Sequence, residues 1–117
     1  MDKPQTPLDV LKAARELISD PAKWTKGGYA FAGEAPTDIK DPAATCFCTL
    51  GAVARVSDLS TSDVVGEQLL ITLGGDPEFE DATIVVGDEW NDDPKRTHAE
   101  VLDLFDRTIA RLEASHA

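Results

Sequence analysis

The sequence predicts a mainly α single domain, residues 1–117, with about four helices and one small β-hairpin or short-strand element. Three observations predict this fold class. Apolar residues recur at helical spacing in four segments, each preceded by capping residues or a proline. Residues 25–42 instead hold alternating aromatic residues after a glycine pair, which is typical of a short strand. With 117 residues and 42% hydrophobic content, the chain can form one hydrophobic core.

The first helix is predicted over residues 7–20. Thr6 can cap its N-terminus, and Pro7 suits the first helical position because that position needs no backbone N–H donor. Apolar residues then recur at helical spacing as far as Ile18. The helix should end near Asp20, since the proline that follows disfavours helical geometry in the residue before it.

A small β element is predicted between the first two helices. Tyr29 and Phe31 alternate with alanines, as in a short strand, and a turn-forming segment at residues 33–38 follows them. We interpret this part of the chain as a hairpin whose loop is residues 33–38. The alternative is an irregular loop held in place by its aromatic side chains.

The second helix is predicted over residues 42–57, after the cap signal Asp41-Pro42. One of its faces carries small side chains, at Ala44, Cys48, Gly51 and Ala52. A glycine inside a helix costs about 1 kcal/mol relative to alanine. Gly51 therefore predicts that another helix or a large aromatic side chain closely approaches the backbone at this face.

Two more helices are predicted in the second half of the chain. One covers residues 61–73, after a cap signal rich in serine and threonine, and ends at a pair of glycines. The other covers residues 98–114, where Thr97 and Glu100 form a capping box. Between them, residues 83–86 are rich in β-branched side chains, which favours a short strand over the alternative, the start of a buried turn.

Acidic residues are concentrated in the second half of the chain. Residues 1–58 carry seven Lys and Arg against eight Asp and Glu, whereas residues 59–117 carry four against fourteen, within a net charge of −11. Because nucleic-acid affinity comes largely from cationic contacts with phosphates, we expect no direct binding to DNA or RNA. The acidity is consistent with solubility, with cation binding or with attraction to a basic partner protein.

The sequence predicts no membrane segment. No stretch approaches the roughly 20 apolar residues that a membrane span requires. The N-terminus also lacks the hydrophobic core of a signal peptide. We therefore expect a cytoplasmic protein.

Residues 88–102 hold the densest set of chemical groups, which supports four interpretations. The first is a cysteine hydrolase, with Cys48 or Cys46 as nucleophile, His98 as base and Asn91 as orienting amide. Against it, Cys48 lies among small apolar residues, where cysteine usually behaves as a buried hydrophobe rather than a reactive thiolate.

A metal site is the second interpretation. Oxygen ligands of the type that calcium or magnesium prefers stand at Asp88, Asn91, Asp92 and Asp93. Their spacing differs from that of an EF-hand loop, and the pair Cys46-x-Cys48 lacks a second pair of zinc ligands. The sequence therefore predicts no metal and no cofactor, and a divalent cation at these carboxylates is the alternative.

The third interpretation is structural. Trp90 is then a core side chain that rests on the small residues of the second helix, Cys48, Gly51 and Ala52. Asn91 or Asp92 forms hydrogen bonds with backbone groups in a turn. The capping box begins the last helix, and His98 at its first position is exposed.

Partner binding is the fourth interpretation, and it accounts for the surplus acidity. An acidic face can attract a basic protein surface and accelerate association. The residues assigned to this face are Glu80, Asp81, Asp88, Glu89, Asn91, Asp92 and Asp93. We favour this interpretation and predict a non-enzymatic interaction or regulatory module that docks a basic protein surface. The cysteine hydrolase is the alternative.

Three motifs, in this order along the chain, carry a resemblance to a known family. They are Trp24-Thr25-x-Gly27, Cys48-x-Leu50-Gly51-Ala52 and Trp90-Asn91-Asp92-x5-His98-Ala99-Glu100-Val101-Leu102. Together they resemble a family of small bacterial and phage-associated proteins that is classed as a domain of unknown function. The resemblance implies no activity. Because small acidic proteins in phage settings sometimes imitate nucleic-acid phosphates, it suggests an inhibitor of a nuclease or a DNA-binding protein.

Overall fold

The computed structural model describes residues 6–115, so residues 1–5 and 116–117 of the predicted domain lie outside the described residues. The predicted fold class, mainly α with a small β element, is confirmed. In chain order the elements are helix α1 (Pro7–Leu17), a 3-10 turn (Pro21–Lys23), strands β1 (Ala30–Ala32), β2 (Ala35–Pro36) and β3 (Cys46–Phe47), helices α2 (Thr49–Val56) and α3 (Leu59–Thr72), a π-helix (Thr83–Asn91) and helix α4 (His98–Ser115).

The core lies around α1, which packs against α2, α3 and α4. Its fully buried side chains are almost all aliphatic, and Phe105 of α4 is the largest of them. Burial of this apolar surface is the main favourable contribution to folding. None of the helices within residues 6–115 combines the length and the apolar character that crossing a bilayer would require.

Local capping determines both ends of α1. The Thr6 hydroxyl accepts a hydrogen bond from the backbone N–H of Asp9 (3.1 Å), as a capping threonine should. The helix ends at Leu17, before the predicted residue 20. It stops early because the Asp20 carboxylate accepts from the N–H of Ala22 (2.9 Å) and so begins the separate 3-10 turn.

The predicted hairpin is present, and it belongs to a three-stranded antiparallel sheet in the order β2-β1-β3. Its loop is tighter than predicted, because β2 already pairs with β1 through Phe31 opposite Pro36 and Ala32 opposite Ala35. The third strand comes from a segment that was predicted to be helical: Cys46 and Phe47 pair with the other edge of β1.

Helix α2 begins at Thr49, seven residues after the predicted start at residue 42. Asp41 does not cap it, because its carboxylate accepts from the N–H of Ala43 (2.9 Å) and from the Thr37 hydroxyl within a local turn. The chain then forms β3, since pairing with β1 satisfies its backbone groups. Cys48 is the residue that caps α2, and its Sγ accepts from the N–H of Gly51 (3.2 Å).

Helix α3 begins at Leu59, two residues before the predicted start, because Asp58 is its cap. The Asp58 carboxylate accepts from the N–H of Thr61 (2.8 Å). Helix α4 covers His98–Ser115, close to the prediction of 98–114. For these two helices, the ends predicted from caps and helical spacing therefore lie within two residues of the observed ends.

The prediction of a strand at residues 83–86 is wrong, because these residues begin the π-helix. The Asp81 carboxylate accepts from both the backbone N–H (2.9 Å) and the hydroxyl (2.7 Å) of Thr83, which starts a helical turn. Val86 and Asn91 are then buried on the inner side. Tertiary packing of this inner side outweighs the weak strand preference of β-branched residues. π-Helices are rare and frequently occur at functional sites.

Candidate functional site

Asn91, the last residue of the π-helix, connects three segments that are distant in sequence. It is fully buried. Its Oδ1 accepts hydrogen bonds from the indole N–H of Trp24 (2.8 Å) and from the backbone N–H (3.0 Å) and hydroxyl (2.7 Å) of Thr49. Its Nδ2 donates to the carbonyl of Thr25 (3.1 Å) and to the Asp92 carboxylate (2.9 Å). Asn91 was predicted to be a surface binding residue, and its burial places it in the framework instead.

The Asp92 carboxylate also forms hydrogen bonds that hold the fold together. Its Oδ1 accepts from the backbone N–H of Gly27 (3.0 Å) as well as from the Asn91 amide. The three sequence motifs therefore meet in one polar junction, defined here as Trp24, Thr25, Gly27, Thr49, Asn91 and Asp92. Buried polar groups are costly unless they are paired, so this junction holds a specific arrangement.

Gly51 makes the close backbone approach that its sequence position predicts, but Trp90 is not the neighbour. A Cβ at position 51 would lie 1.9 Å from the carbonyl oxygen of Tyr29. The same oxygen accepts from the N–H of Cys48 (3.3 Å). Because Gly51 has no side chain, the backbone of Tyr29, just before β1, can pack directly against the first turn of α2.

Trp90 is half-buried and packs at the edge of the core. The Arg96 guanidinium lies over its ring, 4.1 Å from the ring centre. Arg96 Nε also donates to the Trp90 carbonyl (2.9 Å). At Gly51, therefore, the nearest neighbour is the Tyr29 backbone and not the Trp90 ring that the sequence interpretation placed there.

The start of α4 is a reciprocal pair of hydrogen bonds. Thr97 N–H donates to the Glu100 carboxylate (2.9 Å), and Glu100 N–H donates to the Thr97 hydroxyl (3.2 Å). The Thr97 N–H bond holds the pKa of Glu100 below its ordinary value. This stabilisation is present above the ordinary pKa of glutamate and is lost as the pH falls through the lowered value.

His98 is half-buried, whereas it was predicted to be exposed. Its Nε2 lies 2.7 Å from the carbonyl oxygen of Ile18 at the end of α1. A carbonyl can only accept, so this nitrogen carries the hydrogen. The imidazole also faces the Trp24 ring at a centre-to-centre distance of 6.0 Å. These contacts give His98 a role in joining α1 to α4.

The Cys48 thiol has the surroundings of a structural cysteine. It is 4% exposed, and burial raises its pKa to about 11. It lies at the wall of a small cavity of about 200 Å³ that Asp88 and Asp92 also line. Nucleophilic cysteines need a lowered pKa and an electropositive setting. Together with the Ile18 contact of His98, this geometry argues against the cysteine-hydrolase alternative.

We expect the two thiols to react at very different rates. Cys46 is partly exposed and should be modified by a disulfide reagent at pH 8, whereas Cys48 should react only when the chain unfolds. The reagent releases one coloured thiolate for each cysteine modified, so its absorbance with and without denaturant gives the number of reactive thiols. Cys48→Ser identifies the protected thiol, and fast modification of Cys48 in the native chain would contradict its assignment as a cap.

A second, larger cleft shares Tyr29 with the small cavity, and the sequence interpretation did not identify it. Its volume is about 660 Å³. It is lined by α2, α3, the loop after β2 and the segment before the π-helix, at Tyr29, Thr37, Asp38, Ile39, Leu50, Ala54, Leu59, Ser62, Asp63, Gly66, Glu67, Pro77, Glu80, Asp81, Ala82 and Thr83. One feature of the sequence indicates this cleft. Two small residues of α3, Ser62 and Gly66, lie one helical turn apart, and each is followed by an acidic residue.

The residues of the predicted acidic face do not lie on one surface. Glu80 and Asp81 line the large cleft, and Asp88 lines the small cavity. Glu89 is exposed, and Asp93 accepts from the backbone N–H of Lys95 (2.9 Å). Within residues 6–115, no group of three or more His, Cys, Asp or Glu side chains is arranged to hold a metal ion.

The fold and the site together define a small, mainly α protein with a polar junction and a carboxylate-rimmed cleft. The chain belongs to DUF6197, a family of unknown function, whose profile matches residues 2–111. No curated protein and no solved structure matches the chain.

Proposed function

We propose that this protein is a non-enzymatic binding module that docks a basic surface of a partner protein. The observation that carries the proposal is the acidic tract, defined as residues 76–93, which contains eight Asp and Glu and no Lys or Arg. None of these carboxylates joins an ion pair with any residue between 6 and 115. Such an uncompensated field repels itself and attracts a cationic partner.

Only some of the carboxylates in the acidic tract form local hydrogen bonds that explain their presence. The carboxylates that accept backbone N–H bonds are Asp76, Glu80, Asp81, Asp92 and Asp93. Glu78, Asp88 and Glu89 are exposed, and their side chains accept no hydrogen bond from the described part of the chain. These three carboxylates accept no local hydrogen bond, so a partner can pair with them without displacing a contact of the fold.

An exposed aromatic residue supports the same proposal. Phe79 is 83% exposed and stands between two acidic residues. Aromatic side chains are frequent anchors at protein interfaces, where their burial contributes much of the binding energy. A partner with an apolar site surrounded by Lys and Arg would match Phe79 and its neighbours.

A finer form of the proposal is an inhibitor that imitates the charge of nucleic acid. In this form the partner's basic surface is itself a nucleic-acid site. The carboxylates then occupy the positions of phosphates, and the protein competes with DNA or RNA for that surface. Addition of a DNA duplex to the captured partner should then release it from this protein.

The proposal predicts loss of partner capture when the tract is reversed in charge. Asp88→Lys with Glu89→Lys should reduce capture from a host lysate at least tenfold, because both side chains are exposed and form no ion pair within residues 6–115. Captured protein is identified by mass spectrometry and measured at 0.1 M and 1 M salt. Screening shortens the Debye length from about 10 Å to about 3 Å, so capture should also fall with salt.

The matched control is Glu16→Lys with Glu34→Lys, which changes the net charge equally at exposed positions outside the tract. It should retain the partner. Equal capture by the wild type and the tract variant would overturn the proposal, and so would the absence of any partner at low salt.

A further inference from the structure

The large cleft combines an apolar floor with a carboxylate rim. Its floor is formed by the least exposed of the lining residues, which include Leu50 and Ala54 of α2 and Gly66 of α3. Two apolar side chains at the cleft remain open to solvent, with Leu59 80% exposed and Tyr29 47% exposed. Exposed apolar surface of this kind is favourable to cover. A volume of about 660 Å³ lies within the range of small-molecule and side-chain sites.

The ionisable side chains around the cleft are almost all acidic. The carboxylates are Asp38, Asp63, Glu67, Glu80 and Asp81. Along the described chain, no Lys, Arg or His lines the cleft. Hydrogen bonds from Thr83 hold the pKa of Asp81 below its ordinary value, which extends the pH range over which this carboxylate is charged to lower pH. An anionic or purely apolar ligand would leave these charges uncompensated, whereas a cationic ligand would pair with them.

One wall of the cleft is held in place before any ligand arrives. Lys40 Nζ donates to the carbonyls of Arg55 (2.9 Å) and Ser57 (3.0 Å) at the end of α2. In return, the Arg55 guanidinium donates to the carbonyls of Ile39 (2.8 Å) and Asp41 (2.7 Å). These crossed bonds fasten the loop after β2 to α2, and a pre-organised wall loses little entropy on binding.

We propose that this cleft receives an apolar side chain from a basic segment of the partner, with the flanking Lys or Arg residues of that segment on the carboxylate rim. The inference rests on the proposed function and names its specificity site. Charge complementarity selects this occupant, because only a ligand that is apolar at its centre and cationic at its edges satisfies both the floor and the rim.

A designed peptide pair tests the inference. One amide-capped hexapeptide has leucine and phenylalanine between two pairs of lysines, and its control has two glycines in their place. Each is titrated into the full-length 15N-labelled chain, and affinity is measured by calorimetry. We expect at least tenfold tighter binding of the apolar peptide, with the largest amide shifts at Leu50, Ala54 and Gly66.

A cleft-filling variant locates the site. Ser62→Trp places a large ring in the cleft and should weaken the apolar peptide at least tenfold. Val64→Trp is its control, on the exposed surface of the same helix and outside the cleft lining. It should bind as the wild type does, and the amide spectrum reports whether each variant is folded.

The outcomes separate this inference from the proposed function. Equal binding of the two peptides, with shifts confined to Asp88 and Glu89, would overturn the cleft site and leave the docking proposal standing. Hexylamine is titrated as a third ligand. If it binds and neither peptide does, the inference is overturned, since the occupant would then be a small amine. Failure of the capture experiment with the acidic tract would overturn the proposed function itself.

Discussion

Replacing Gly51 by alanine is expected to destabilise the protein by at least about 3 kcal/mol. The added Cβ would lie 1.9 Å from the carbonyl oxygen of Tyr29 and 2.8 Å from its carbonyl carbon. These are backbone atoms, so no side-chain rotation relieves the overlap. The segment before β1 would have to move away from α2, and the Cys48 N–H bond to Tyr29 would be lost with it.

Urea denaturation followed by circular dichroism measures this effect, and Gly66→Ala is the matched control. A Cβ at position 66 would meet Ala82 at 3.6 Å and Leu50 at 3.8 Å, which are ordinary contacts. Because alanine is favoured over glycine inside a helix by up to about 1 kcal/mol, this control should be neutral or stabilising. Similar stabilities for the two variants would show that the close approach at Gly51 is not a constraint.

Asn91→Ala is expected to be the most damaging change of a polar residue, with a loss of about 3–5 kcal/mol. The substitution leaves three donors without an acceptor: the Trp24 indole N–H and the N–H and hydroxyl of Thr49. It also removes the donor that serves the Thr25 carbonyl and the Asp92 carboxylate. Unpaired buried groups cost more than the hydrogen bonds themselves contribute.

A graded series tests this explanation by the same denaturation measurement. Thr49→Val removes one hydroxyl donor and keeps the shape of the side chain, so it should cost only about 1 kcal/mol. Asp93→Ala changes the exposed turn nearby and should cost less than Asn91→Ala, because it removes one local bond to the Lys95 N–H. If Asn91→Ala were no worse than Thr49→Val, the junction would not depend on the Asn91 amide.

These two positions hold the same part of the fold. Gly51 lets the backbone at Tyr29 approach α2, and the Asn91 junction ties the end of the π-helix to Trp24 and Thr49. The exposed carboxylates of the π-helix, Asp88 and Glu89, lie within three residues of Asn91 in the chain. The polar junction therefore sets where the C-terminal part of the acidic tract lies, and its loss should weaken partner capture as well as stability.

The parts of the fold that depend on neighbouring residues were predictable. The Thr6 cap, the hydrogen bonds between Thr97 and Glu100, and the helical spacing of α1, α3 and α4 all act within a few residues. The hairpin depends on one turn between adjacent strands, and it was predicted for the same reason. The acidic tract is likewise visible in the composition, although the use of each carboxylate is not.

The parts that depend on distant residues were decided by the tertiary structure. Asp41 resembles a helix cap, but pairing of β3 with β1 moved the start of α2 to Thr49. Residues 83–86 have strand propensity, but burial of Val86 and Asn91 made them helical.

The sequence by itself therefore determined the fold class, the capped helices and the acidic charge, because these follow from local spacing and composition. Only the tertiary structure decided that Asn91 is buried, that Tyr29 meets Gly51 and that five carboxylates surround one cleft. The physical reason is that burial and hydrogen-bond partners across 40 or more residues, as between Thr49 and Asn91, are set by packing and leave no periodic signal along the chain.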